Sequence, residues 1–293
     1  MFFLLGNALP VLGLMVSTAA LELQAGYPVL DGVRVNGAGP YRMLVDTGAE
    51  STSLRPSQAA RMGLVPTYAV ELESVAGAAV TPAAKARLVE AGGVALAGVE
   101  VLLAEPPALP GGKRLDGVLG QTFLRRTNYW IHYTNRFIAM DTGDSLDGCL
   151  KGYALPIATV NGRPAIPVGM GAAGERRLVL DTGASHLILT GPFETQRRVM
   201  PASFRSATDG RTGGMVALPL VTAGKRLWQN VLAGWLNESE QMPGGLFPAH
   251  LLRSFYISNR KQSVLVEPRA AAPCATGPTE PPARTDGATG TAW

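Results

Sequence analysis

Two aspartates in this chain, Asp46 and Asp181, stand in nearly the same surroundings. One lies in "LVDTGAESTSL" (residues 44–54) and the other in "LVLDTGASHLIL" (residues 178–189). In both, an apolar run suited to a buried strand is interrupted by Asp-Thr-Gly and then resumes. The glycine permits a tight turn, and the turn holds the carboxylate at a strand end. If a pseudo-twofold axis sets the two copies face to face, two carboxyls roughly 3 Å apart cannot both ionise cheaply and share one proton. The ionised member can then take a proton from water while the protonated member donates to a carbonyl oxygen, which is what amide hydrolysis needs. This chemistry calls for no metal, cofactor or covalent intermediate, and none is expected.

Other groups that could carry chemistry are less well placed. A third Asp-Thr-Gly, Asp141-Thr142-Gly143, lacks a following apolar segment and reads as a lobe-ending turn. "GMGAAG" (169–174) has the spacing of a dinucleotide-binding loop, but it leads into an apolar strand instead of a helix and reads as a hairpin loop. His132, His186 and His250 show no ligand spacing, and Cys149 and Cys274 are too few for a closed zinc site. One disulfide or two free thiols remain open. A net charge of +4 on 293 residues, with the basic side chains scattered, argues against nucleic acid as a partner.

The elements that must position the aspartates follow from an internal repeat. "VRVNG…MLVDTGAESTSL…DGVLGQTFLRRTNYWIHYTNRFIAMD" is echoed by "ATVNG…LVLDTGASHLIL…GGLFPAHLLRSFYISNRKQSVLVEP". The aspartates are 135 positions apart (181 minus 46), so each copy is a domain-sized unit. With 35 glycines, 22 prolines and only 16% charged residues, the composition predicts an all-β chain of short strands and turns. Few short helices are expected, at "RPSQAARMG", "GQTFLRR" and "PAHLLRS". The expected units are a first lobe at 27–150, a second at 151–268 and a disordered tail at 269–293. Residues 1–26 read as a leader: a signal peptide cut near Ala19 or Ala20, a membrane anchor formed by residues 1–20, or a buried N-terminal strand. The first of these implies an exported, periplasmic or secreted protein.

The paired "DTGA" loops, together with "DGVLGQTFLRR", resemble the aspartic peptidases, over about residues 27–268. Ala49, Ala184 and the short lobes resemble the retroviral-type branch, and the fusion of two lobes in one chain resembles the pepsin-like branch. The resemblance implies two β-barrel lobes related by a pseudo-twofold axis, a peptide or protein substrate in the cleft between them, and a monomer. It makes Asp46 and Asp181 the catalytic pair, with Thr47 and Thr182 hydrogen-bonded across the lobes. Gly48 and Gly183 become the turn glycines, and Gly120 packs against the first loop. It also implies a hairpin flap from each lobe, which would fall near Ala76 and Gly77 and near Gly213 and Gly214.

Two departures stand out. The first repeat's Val118-Leu119-Gly120 becomes Leu246-Phe247-Pro248 in the second, so a ring of fixed φ replaces a glycine at a tightly packed position. This motivates an alternative in which the chain binds peptides or a partner without cleaving them. Glu50 stands where the family usually carries a smaller polar or acidic residue, in position for a salt bridge or a substrate contact. Finally, Ala49 and Ala184 cannot donate to the ionised pair as a hydroxyl would, so the lower pKa should rise and activity should peak at mildly acidic to near-neutral pH.

Overall fold

A computed structural model describes residues 16–74, 77–192, 200–205, 210–236 and 244–271. The first repeat forms β1 (Ser17–Gln24), β2 (Tyr27–Val35), β3 (Ala38–Val45), β4 (Thr52–Leu54), β5 (Tyr68–Ser74), β6 (Gly77–Ala91), β7 (Val94–Leu103), β8 (Gly117–Leu119), β9 (Asn128–His132) and β10 (Phe137–Asp141). The second forms β11 (Leu150–Pro156), β12 (Ala158–Val160), β13 (Arg163–Gly169), β14 (Glu175–Asp181), β15 (Leu187–Thr190), β16 (Met200–Arg205), β17 (Gly210–Ala223), β18 (Arg226–Leu236), β19 (Gly245–Pro248), β20 (Ser254–Ser258) and β21 (Ser263–Ala270). The helices are short, at Pro56–Arg61, Gln121–Leu124 and Ser145–Cys149, with single 3-10 turns at Gly171–Ala173 and Ala249–Leu251. Nearly all the regular structure among the described residues is strand, as the glycine-rich, charge-poor composition predicts.

Each lobe closes in the same way. In the first, the short, wholly buried β8 slots between β3 and β4, parallel to one (Val45↔Leu119) and antiparallel to the other (Ser53↔Val118). In the second, β19 runs parallel to β14 (Leu180↔Phe247) and antiparallel to β15 (Ile188↔Leu246). A strand buried on both sides needs apolar residues throughout, and "GVL" and "GLFP" supply them. The two crossings bring both Asp-Thr-Gly loops to strand ends. β14 shows the transition along its length, from exposed Glu175 and Arg177 to buried Leu178–Asp181.

A sheet common to both repeats ties the lobes together. Its order is β11-β21-β20-β9-β10-β1, and β20 pairs β9 through Phe255↔Ile131 and Tyr256↔Trp130. Covered on both faces, β20 is buried at every position, including Ser254 and Ser258. Leu150 and Lys151 pair Ala270 and Arg269, so β21 extends two residues into the segment the composition assigns to the tail; residues 272–293 lie outside the described residues.

The N-terminal boundary also differs from the sequence reading. Ser17–Gln24, assigned there to the leader, form β1: Ser17–Ala20 pair β10, and Leu21–Gln24 pair β2. The alternation Leu21, Glu22, Leu23, Gln24 buries Leu21 under the sheet, and a period of two is what a strand requires. Residues 1–15 lie outside the described residues, and among the described ones no helix is long and apolar enough to cross a membrane.

Candidate active site

The structure brings Asp46 and Asp181 together at the junction of the two lobes, each carboxyl lying against the turn glycine of the other loop. Asp46 follows the last residue of β3, and its backbone N–H is tied to the Leu119 carbonyl at 3.0 Å. Asp181 ends β14 opposite Pro248 of β19. Each carboxylate is fixed by its own turn. The Gly48 and Ala49 N–H groups donate to Asp46 Oδ1 at 2.8 and 3.0 Å, and the Gly183 N–H donates to Asp181 Oδ1 at 2.7 Å.

Beneath the carboxyls the two threonines interlock. The Thr47 N–H donates to Thr182 Oγ1 at 2.9 Å, and the Thr182 N–H donates to Thr47 Oγ1 at 3.1 Å. Each hydroxyl then donates onward, Thr47 to the Leu180 carbonyl at 2.5 Å and Thr182 to the Val45 carbonyl at 2.6 Å. Four reciprocal bonds between buried groups leave the loops little freedom to slide past one another. The turn glycines are required by the opposite lobe. A Cβ on Gly48 would lie 2.3 Å from Asp181 Cγ, and one on Gly183 would lie 2.4 Å from Asp46 Oδ2. Gly120 is needed for the same reason, since a side chain there would meet the Ser51 carbonyl at 2.4 Å.

Electrostatics separate the two acids. Burial raises Asp46, but its hydrogen bond from Asp181 and its two backbone donors pull the other way. Asp181 is held well above the usual carboxylate range by burial and by the charge of Asp46, with a single backbone donor in opposition. Both carboxyls are raised, as expected of two buried acids so close that only one of them ionises readily. Arg163, 2% exposed, favours the ionised form of both carboxyls. It reaches from β13 across the lobe boundary, donating from Nε to the Gly48 carbonyl at 2.8 Å and pairing with Glu50 at 3.4 Å. Glu50 thus has the salt bridge its position offered; its partner is 113 residues away and left no signal in the sequence.

Further residues escaped the sequence reading. Gln121 donates from its side chain to the Thr47 carbonyl at 2.8 Å and from its backbone to the Ala49 carbonyl at 2.9 Å. Tyr133, at the end of β9, is buried with its hydroxyl unpartnered among the described residues; burial and the charges of Asp181 and Asp46 push its pKa well up. Ala49 and Ala184 pack against small apolar clusters, Ala49 with Leu44 and Val118 and Ala184 with Val179 and Leu246.

The hairpin positions fall differently from expectation. Ser74 pairs Gly77, which puts Gly77 beside the first turn; Ala76 lies outside the described residues. In the second hairpin Arg205 pairs Gly210, so the connection is 206–209, outside the described residues. Gly213 and Gly214 pair Ala202 and Pro201 within the arm, three and four positions beyond Gly210, and are not the tip. Asp141 closes a turn, accepting from Asn128 Nδ2 at 2.9 Å and from the Leu146 N–H at 2.7 Å. Residues 169–174 connect the antiparallel strands β13 and β14 as a hairpin loop. Cys149 is disulfide-bonded; the only other cysteine, Cys274, lies outside the described residues.

Residues 32–123 match the family model described as aspartyl protease. No curated protein matches the chain. Among solved structures, the crystal structure of aspartic proteinase from Irpex lacteus aligns with a TM-score of 0.51 and 14% identity, covering 89% of this chain and 99% of that one. At that identity the likeness speaks for the fold alone. The family likeness thus extends over the first repeat, and the fold of the whole is like that of an aspartic proteinase.

Proposed function

We propose that the protein is an aspartic endopeptidase that hydrolyses peptide bonds with a water activated between Asp46 and Asp181. The observation that carries this reading is the convergence of the two carboxyls, each packed against the turn glycine of the other loop above the crossed threonines. Asp46 takes a proton from the water as its oxygen bonds to the peptide carbonyl carbon, and Asp181 gives its proton to the carbonyl oxygen. The gem-diol then collapses: Asp46 passes its proton to the leaving nitrogen, the C–N bond breaks, and a gem-diol hydroxyl returns a proton to Asp181. An extended peptide would lie between the lobes and bond through its backbone to the strands of the flap hairpins. Since one chain supplies both loops, the reading implies an active monomer. The disulfide at Cys149 suits an oxidising compartment and, with the apolar segment at the N-terminus, supports export to the periplasm or beyond. Mass spectrometry of the mature N-terminus tests that part.

The activity is tested by incubating purified protein with an unfolded protein substrate from pH 3 to 8, with and without a statine-type mimic of the gem-diol. Cleavage that the mimic blocks and that Asp46→Asn and Asp181→Asn both abolish is the expected result. Binding of peptide without cleavage would favour instead the silent relative suggested by Pro248.

A further inference from the structure

Away from the aspartates, cationic side chains from two parts of the fold meet at one corner of the molecule. β11 is the terminal strand of its sheet, and Lys151 and Tyr153, two residues apart, share a face of it. Lys151 lies directly opposite Arg269 of β21, and both are exposed. The turn between β17 and β18 packs against the same tyrosine. A Cβ on Gly224 would lie 3.0 Å from the Tyr153 ring, and Lys225 Nζ stands 5.6 Å from the ring centre. Arg226 follows and pairs with Glu267 of β21 at 3.2 Å. Among the described residues Lys151, Lys225 and Arg269 have no acidic partner. Like charges directly opposite each other in a strand pair repel. Cations on an edge strand can serve to keep other strands away, but β11 already has a register shift between Lys151 and Tyr153 and a proline, Pro156, at its end. The fold therefore gives no reason for this concentration of charge. Beside it, Tyr153 is 45% exposed, and Leu227, the residue after Arg226 on the same hairpin, is 55% exposed.

We infer that this corner is a docking surface for an anionic lipid bilayer, with Lys151, Lys225 and Arg269 among the phosphate headgroups and the hairpin tip at Lys225–Leu227 resting in the interface. Charge complementarity calls for an anionic partner. The apolar side chains favour lipid over an acidic polypeptide, because a phenol settles at headgroup level and an aliphatic group at the acyl boundary beneath it. Three cations on flexible stems also suit a fluid surface that offers negative charge everywhere. An acidic peptide adding to β11 as a strand would meet an edge broken by the register shift and closed by Pro156. The surface takes no part in the aspartate pair, so it stands or falls apart from the peptidase reading.

The experiment measures affinity of the full chain for vesicles of phosphatidylcholine alone and of equal parts phosphatidylcholine and phosphatidylglycerol, at low and high salt. Each cation beside an anionic surface is worth about fivefold, so wild type should prefer the anionic vesicles by about 100-fold. High salt should shrink that preference. Residues 1–15 carry no charged side chain, so any binding they add is common to both vesicles and cancels from the ratio. The triple variant Lys151→Gln, Lys225→Gln, Arg269→Gln should bring the preference to within about fivefold of unity. The same charge removed from the first lobe, in Lys85→Gln, Lys113→Gln, Arg114→Gln, should leave most of it. Leu227→Ser should weaken binding to the anionic vesicles by about tenfold. All six cations are exposed, so both triple variants should keep the wild-type urea midpoint; if the first does not, Lys225→Gln alone, with its loss of about fivefold, decides. Equal affinity of wild type for the two kinds of vesicle, or equal losses in the two triple variants, would overturn the assignment. So would binding of polyglutamate at this corner without any preference for anionic vesicles, which would give the surface to an acidic protein.

Discussion

Replacing Thr47 by Val keeps the shape of the side chain and removes only what its hydroxyl does. That hydroxyl donates to the Leu180 carbonyl at 2.5 Å and accepts the Thr182 N–H at 3.1 Å, both across the lobe boundary and both buried. A buried polar group left without its partner costs roughly 1–3 kcal/mol, so the two losses amount to about 2–6 kcal/mol. Against a typical total of about 5–15 kcal/mol, that is a large share. Thr182→Val should cost about as much, because it severs the matching bonds to the Val45 carbonyl and the Thr47 N–H. The double variant should cost less than the sum by about 0.5–3 kcal/mol, since the two hydroxyls serve one interlock. Thr47→Ser, which retains the hydroxyl, should lose about 1 kcal/mol or less, the value of one methyl group. Urea unfolding gives the energies, and affinity for a statine-type mimic reports whether the carboxyls still meet. If Thr47→Val unfolds within about 0.5 kcal/mol of wild type and binds the mimic equally well, the claim that crossed threonines align the lobes is wrong.

Other perturbations probe the same geometry. Gly183→Ala puts a methyl 2.4 to 2.8 Å from three atoms of the Asp46 carboxyl, which must then move by about 1 Å; kcat should fall at least about 100-fold while the far-ultraviolet circular dichroism is unchanged, and an active variant would refute the close approach. Asp181 has a raised folded-state pKa, so its contribution to stability is present below its ordinary value of 3.8 and is lost as pH rises through the folded value. Asp181→Asn should accordingly flatten the decline in stability above about pH 4, and urea midpoints at pH 4 and 8 that shift as in wild type would count against the shared proton. Tyr133→Phe removes a buried hydroxyl that has no partner among the described residues, so stability should rise by up to about 1–3 kcal/mol; a loss above about 1 kcal/mol would mean that the hydroxyl is satisfied after all.

What the sequence revealed depended on whether the cause was local or repeated. Asp46 and Asp181 were legible because duplication writes the same turn twice, and the repeat also carries the placement of Gly48 and Gly183. Arg163 was not legible: it meets Glu50 and Gly48 only through the packing of one lobe on the other, with no spacing rule linking the positions. Pro248 looked damaging because its ring fixes φ, yet the residue keeps its place at φ −70° at the end of β19, paired with Asp181. Gly213 and Gly214 drew the flap tip away from 206–209 because glycine pairs suggest turns; the Asp209-Gly210 dipeptide is the stronger hairpin signal. β1 was obscured because its own first residues, Ser17–Ala20, are small and resemble a processing site, although Leu21–Gln24 already alternate as a strand does.

The pairing of β20 with β9 has a consequence for how such a chain comes to be made. The outer edge of β9 stays open until residues 254–258 have emerged, and β21, which β11 needs, is later still. The first lobe therefore cannot finish its own sheet during synthesis, and the decisive contacts join residues more than 120 positions apart. A polypeptide wired this way leaves an edge of its first half unpaired until most of its second half has been made.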